Sequence, residues 1–181
     1  MKLLFLSVPT GQGHNQAAKA LEEYYRGMDG IECQTLDVFD NVNPLLSESI
    51  EKGYLISTKM TPKVYGTFYD ICEKRDQTKY SSVGKLVKSV FNKQLMKYIE
   101  SYQPDIIVAM HIFSAIAISY LRKKYPIKAK TLAIVTDFTI HPFWEDVDID
   151  YYITATELLE WQTDRKGYPR EKVKPFGIPI M

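Results

Sequence analysis

The amino-acid sequence predicts an α/β fold, an open parallel sheet with helices on both faces, and three observations carry that prediction. Short runs rich in β-branched and large apolar residues recur at Leu3 to Val8, Ile31 to Leu36, Asp105 to Ala109, Thr131 to Val135 and Tyr151 to Ala155. Stretches with helical periodicity separate most of them, as in strand-crossover-strand units. With 181 residues, 45% of them hydrophobic, the chain can bury one full core, so residues 1–181 are expected to form a single domain.

Taken in order, the first run begins behind a lysine and enters Pro9-Thr10-Gly11-Gln12-Gly13-His14-Asn15 instead of reaching a small-residue cleavage site. It therefore reads as a first strand and not as a signal peptide. Gln16 to Met28 reads as the helix that follows, and Ile31 to Leu36 as the second strand. From Asn43 to Tyr102 helical periodicity continues without a convincing strand, so a helical insertion of two or three helices is expected at about 43–102. Pro44 and Pro62 stand near helix starts, and Asp76-Gln77 in a connection. Asp105 to Ala109 leads into a helix from Ser114 to Tyr125. After Tyr151 to Ala155, Thr156 caps a helix from Glu157 to Lys166, closed by Gly167. This alternation is that of a Rossmann-like sheet, in which ligands collect at the carboxyl ends of the strands.

Composition narrows the function. A formal net charge of +1 argues against a nucleic-acid binder driven by overall charge. Cys33 and Cys72 lie in unrelated segments without metal-ligand spacing, so neither a disulfide framework nor a zinc site is expected. No apolar stretch approaches the length needed to span a bilayer. The protein is expected in the cytoplasm.

Within the insertion, Lys79, Lys85, Lys88, Lys93 and Lys97 occur with no acidic residue between Gln77 and Ile99, while Val83, Leu86, Val87, Val90 and Phe91 share one side of a helix. Two readings stay open. Such a segment is a core stripe under solvated lysines, or it docks on an anionic membrane surface.

The chemistry-bearing residues gather behind the strand-like runs. At Gly11, Gln12, Gly13 and His14 a strand passes into a helix, where glycines permit a tight turn and a helix start offers unpaired amides of partial positive charge. An imidazole there is disfavoured in its protonated form and remains a base near neutral pH. A dinucleotide fingerprint would want a third glycine where Gln16 stands, although Asp37 imitates its acidic ribose ligand. Cofactor loop, catalytic histidine and structural turn all fit the spacing. His111 follows the third run; Asp137, His141 and Trp144 follow the fourth. Trp144, in a Pro-containing loop, is expected at an exposed rim. Asp137 and His141 are four apart, but Pro142 makes that stretch a loop, so no metal site is expected.

In their order and spacing, Pro9-Thr10-Gly11-Gln12-Gly13-His14-Asn15-Gln16-Ala17-Ala18, Val135-Thr136-Asp137-Phe138 with His141 and Trp144, Asp150-Tyr151-Tyr152 and Phe176-Gly177-Ile178-Pro179-Ile180 resemble the monogalactosyldiacylglycerol synthase family, and within it the processive diacylglycerol β-glucosyltransferases of Gram-positive bacteria. The resemblance covers the whole chain but only the N-terminal half of such enzymes. It implies the acceptor-binding domain of a two-domain GT-B glycosyltransferase, whose C-terminal donor-binding domain is absent from this chain. It further implies transfer of a hexose from a UDP-sugar to diacylglycerol with inversion, without a bound cofactor or metal, at the inner face of the cell membrane. Glucose and galactose donors are not distinguished. By the same resemblance His14 is the catalytic base, Gly11, Gln12 and Gly13 face the donor phosphates, and His111, Asp137, His141 and Trp144 line the acceptor side of the cleft. Lys79, Lys85, Lys88, Phe91, Lys93 and Lys97 would then dock on anionic lipid. Where the family commonly carries a proline after the second histidine, Ile112 stands here. Other lipid-linked acceptors, and a non-catalytic nucleotide- or lipid-binding module, are the alternative functions.

Overall fold

The computed structural model describes residues 1–8, 12–38, 93–137, 139–140, 144 and 147–180. Six strands, β1 (Lys2–Ser7), β2 (Glu32–Asp37), β3 (Ile106–Ala109), β4 (Lys130–Val135), β5 (Tyr151–Thr154) and β6 (Val173–Lys174), form one sheet in the order β2-β1-β3-β4-β5-β6. Every pairing is parallel. The described helices are α1 (Gln12–Arg26), α2 (Gln94–Tyr102), α3 (Ile112–Lys124) and α4 (Glu160–Arg165).

Strand alternation divides the core into two layers. Leu4, Leu6, Ile107, Ala109, Ala133 and Val135 meet Leu95 and Ile99 of α2 and Ile118 and Leu121 of α3 on one face. Leu3, Phe5, Val108, Met110 and Ile134 meet Ala17 and Ala18 of α1 on the other. Both sheet faces are covered, and the central strands accordingly read as continuous apolar runs. This is the Rossmann-like architecture that the alternation predicts.

Three boundaries differ from the sequence reading in ways that bear on the site. Helix α1 begins at Gln12, four residues earlier than predicted, so Gly13, His14 and Asn15 occupy its first turn and not a loop. Gly13 has no positive φ, unlike Gly30, Gly167 and Gly177. Nothing in its backbone needs a glycine's freedom. Strand β6 was not foreseen, because two residues are too few to show a period. Of the insertion expected at 43–102, α2 is described, and Lys93 and Lys97 are exposed at and along it. Lys79, Lys85, Lys88 and Phe91 lie outside the described residues.

Trp144 corrects the expectation of a rim. The ring is 1% exposed and meets Tyr152 edge-on, with centroids 6.4 Å apart. The cause is the path of the chain after β4: Ile140, Trp144, Val147 and Ile149 are all buried in the layer that also holds α2 and α3. Packed among these apolar side chains, a large ring gains more from burial than from a place at the rim. The burial leaves the indole Nε1 without a hydrogen-bond partner among the described residues.

Candidate active site

Chain order reverses between β1 and β3, since β1 leads to β2 on one side while β3 leads to β4 on the other. Helices α1 and α3 leave the carboxyl ends of these neighbouring strands toward opposite faces. Such a reversal opens a crevice in which ligands bind. His14 reaches it from the first turn of α1, His111 from the N-cap of α3, and Thr136 and Asp137 from the residues that directly follow β4.

The histidine rings lie edge to face, with centroids 4.5 Å apart and planes at 83°. Nδ1 of His14 is 2.5 Å from Oγ1 of Thr136. Nδ1 of His111 accepts a hydrogen bond from the Phe113 amide at 3.2 Å. The His111 amide donates to Ser114 Oγ at 3.2 Å, and that hydroxyl donates to the His111 carbonyl at 2.7 Å. His111 thus caps α3 with its own ring. Because its Nδ1 is an acceptor, the proton of the neutral ring sits on Nε2.

Burial and proximity set the protonation states. Burial, helped by the charge that His14 would carry, holds the pKa of His111 down at about 3. His14 is also lowered by burial, against the opposing effects of Asp137 and a backbone hydrogen bond at Met110. Asp137 is exposed as a residue, and partial desolvation of its carboxyl raises its pKa, with His14 working against the shift. One histidine is therefore a fixed neutral group, and the other is a neutral base beside a carboxyl that stabilises the imidazolium formed when the base takes a proton.

The first turn of α1 supplies the remaining feature. Its leading amides have no intrahelical acceptor and carry the positive end of the helix dipole. Gly13 is exposed there, and among the described residues a Cβ placed on it would meet nothing within 4 Å. A helix start of this kind suits an anionic group.

Of the residues singled out in the sequence, His14, His111 and Asp137 come together, and Gln12 and Gly13 adjoin them. Trp144 is in the core. Gly11 and His141 lie outside the described residues. Thr136 was missed as a site residue, although its place just beyond β4 was the available signal. Among the described residues no group of three or more His, Cys, Asp or Glu side chains could hold a metal ion, and no helix is long and apolar enough to cross a membrane.

A family model described as monogalactosyldiacylglycerol (MGDG) synthase matches residues 14–180. Proteins named processive diacylglycerol beta-glucosyltransferase from Bacillus thuringiensis (strain Al Hakam) and Bacillus anthracis (strain A0248) are each 28% identical over 183 aligned positions, covering 99% of this chain and 45% of their own. The chain thus spans about half the length of these curated relatives. Among solved structures, the apo form of the lipopolysaccharide outer core galactosyltransferase WaaB matches with a TM-score of 0.51 and 14% identity, over 96% of this chain and 44% of that one. That likeness shows the fold.

Proposed function

The chain belongs to the monogalactosyldiacylglycerol synthase family, and from that premise we propose that it forms the acceptor-side domain of a glycosyltransferase that moves a hexose from a UDP-sugar to diacylglycerol. The observation that carries the reading is His14: a neutral imidazole on the first turn of α1, in the crevice where strand order reverses.

A glycerol hydroxyl is too weak an acid to attack an anomeric carbon unaided. His14 removes its proton as the new bond from that oxygen to the anomeric carbon forms. The bond from the anomeric carbon to the diphosphate breaks, and UDP leaves with the electron pair. One in-line displacement inverts the anomeric centre. The α1 amides beside Gly13 favour the negative charge that builds on the diphosphate, a role that asks for no metal. Asp137 favours the imidazolium. Donor binding is assigned to a second domain, in keeping with relatives about twice as long as this chain. Because the acceptor carries two acyl chains, the domain works at a membrane surface, where the exposed Lys93 and Lys97 suit anionic lipid.

The test is transfer of labelled sugar from UDP-glucose or UDP-galactose to diacylglycerol in vesicles. In the protein extended to the length of its relatives, His14→Ala is expected to lower the rate by about two to four powers of ten, the usual contribution of a positioned base. Near-normal transfer by that variant would place the base elsewhere. The 181-residue chain alone is expected to transfer no sugar, and efficient turnover by it would overturn the division of labour between domains.

A further inference from the structure

We infer that Thr136 is the positioning residue of His14, holding the ring with its proton on Nδ1 so that the lone pair of Nε2 faces the substrate hydroxyl. The inference rests on reading His14 as a base. The contact between Thr136 Oγ1 and His14 Nδ1 is 2.5 Å long, and only one of the two atoms donates in it. If the hydroxyl donated, the ring proton would sit on Nε2 and no lone pair would be left for a substrate. If Nδ1–H donates, shared between the Thr136 hydroxyl and the Met110 carbonyl that also accepts from this ring, Nε2 keeps its lone pair to accept a proton.

Free histidine in water prefers the Nε2 proton, so a histidine base that works through Nε2 needs a partner to hold the other tautomer. Thr136 is built to be that partner. Val135, the last residue of β4, packs on the face that carries α2 and α3. Alternation therefore turns Thr136 toward the α1 face, where His14 stands. Thr136 stands one residue beyond the end of a central strand and the ring on the first turn of a helix, so both are anchored close to regular elements. Asp137, the next residue, places its carboxyl where it favours the protonated ring. His111 makes the internal contrast, because its Nδ1 accepts from the Phe113 amide and so its proton is on Nε2. Two histidines in edge-to-face contact are thereby assigned opposite tautomers.

With three histidines in the chain, nitrogen-15 NMR of histidine-labelled protein reads both tautomers directly, and His→Gln variants assign the signals. His14 is expected to show a protonated Nδ1 and His111 a protonated Nε2. Thr136→Val should move His14 to the Nε2 form, Thr136→Ser should keep the native pattern, and His111 should be unchanged in both, which also reports that the fold survives. In the protein extended to the length of its relatives, Thr136→Val should lower kcat about tenfold with little change in KM, the loss expected for one oriented hydrogen bond, and Thr136→Ser should restore it. A wild-type His14 protonated on Nε2, or a tautomer indifferent to Thr136→Val, overturns the inference. Failure of the base reading would look different: the tautomers would behave as stated while His14→Ala still transferred sugar at a near-normal rate.

Discussion

The two ends of the same sheet hold similar side chains in opposite circumstances. At the amino ends of β4 and β5, the Asp150 carboxylate accepts from the Thr131 amide at 2.8 Å, from the Thr131 hydroxyl at 3.0 Å and from Arg122 at 3.0 Å, while Arg122 also donates to the Thr131 hydroxyl at 2.7 Å. Burial pushes the Asp150 carboxyl up, but these hydrogen bonds and the guanidinium charge outweigh it and leave the group below the usual carboxylate range. At the carboxyl ends, Asp137 is raised and His14 and His111 are lowered, burial being the largest cause each time. The first cluster is electrically satisfied and serves the fold. The second keeps its titratable groups in less favourable surroundings, the pattern that marks a candidate site for proton transfer.

The largest effect expected from this contrast is on stability, at the amino end. Asp150→Ala would leave Arg122 and the Thr131 amide without their carboxylate. Since Arg122 and Asp150 retain about a quarter of their side-chain exposure, 26% and 23%, a loss of about 2 to 3 kcal/mol in urea unfolding is expected, less than for a fully buried pair. The His14 pKa, followed by NMR, should not move. A loss below about 0.5 kcal/mol would mean that the cluster does not lock the sheet, and a shifted His14 would mean that the two ends are coupled.

A second, smaller effect is pH-dependent and belongs to the carboxyl end. Between about pH 6.5 and its native pKa of about 3, His111 is protonated in the unfolded chain and neutral in the fold. The unfolded state then binds more protons, so stability falls as pH is lowered, by at most about 1.4 kcal/mol per pH unit. Asp150, with its depressed pKa, loses stability in the same direction but only as pH drops through the carboxylate range. Asp137, being raised, acts in the opposite sense. Asn at position 111 keeps a good helix cap and removes the titration. Between pH 6.5 and 5.0 the wild-type chain should therefore lose about 1.6 kcal/mol more than His111→Asn in urea unfolding. Parallel pH profiles would show that His111 is not held neutral by the fold.

The same contrast explains what could be read before folding. The sheet was legible because β1, β3 and β4 are central and buried on both faces, which makes them unbroken apolar runs whatever their neighbours. His14, His111 and Asp137 were legible as well, since each follows such a run and the carboxyl edge collects them. Thr136 was not, because a threonine after a strand is chemically unremarked until the fold brings His14, 122 positions away in sequence, to its hydroxyl. Trp144 misled for a related reason. Local composition describes a loop, but whether Trp144 is buried depends on Ile140, Val147 and Ile149 packing into the same cluster. The start of α1 was hidden by the assumption that two glycines near a strand must form a turn, whereas Gly13 is helical.

Gly13 offers the smallest and most discriminating test. In a helix an exposed glycine costs about 0.5 to 1 kcal/mol relative to alanine, because the unfolded chain has more conformations to lose. Here the backbone is helical, φ is not positive, and among the described residues a Cβ would meet nothing within 4 Å. On stability alone, alanine should be the better residue. Gly13→Ala is therefore expected to raise urea stability of the chain by about 0.5 to 1 kcal/mol. If a donor diphosphate approaches the α1 amides there, the same methyl group should raise the KM for UDP-sugar in the protein extended to the length of its relatives, opposing changes that a purely structural glycine would not give. A variant that is both more stable and kinetically unchanged would show that no ligand comes within van der Waals reach of that position, and the anion would have to be sought elsewhere along the carboxyl edge.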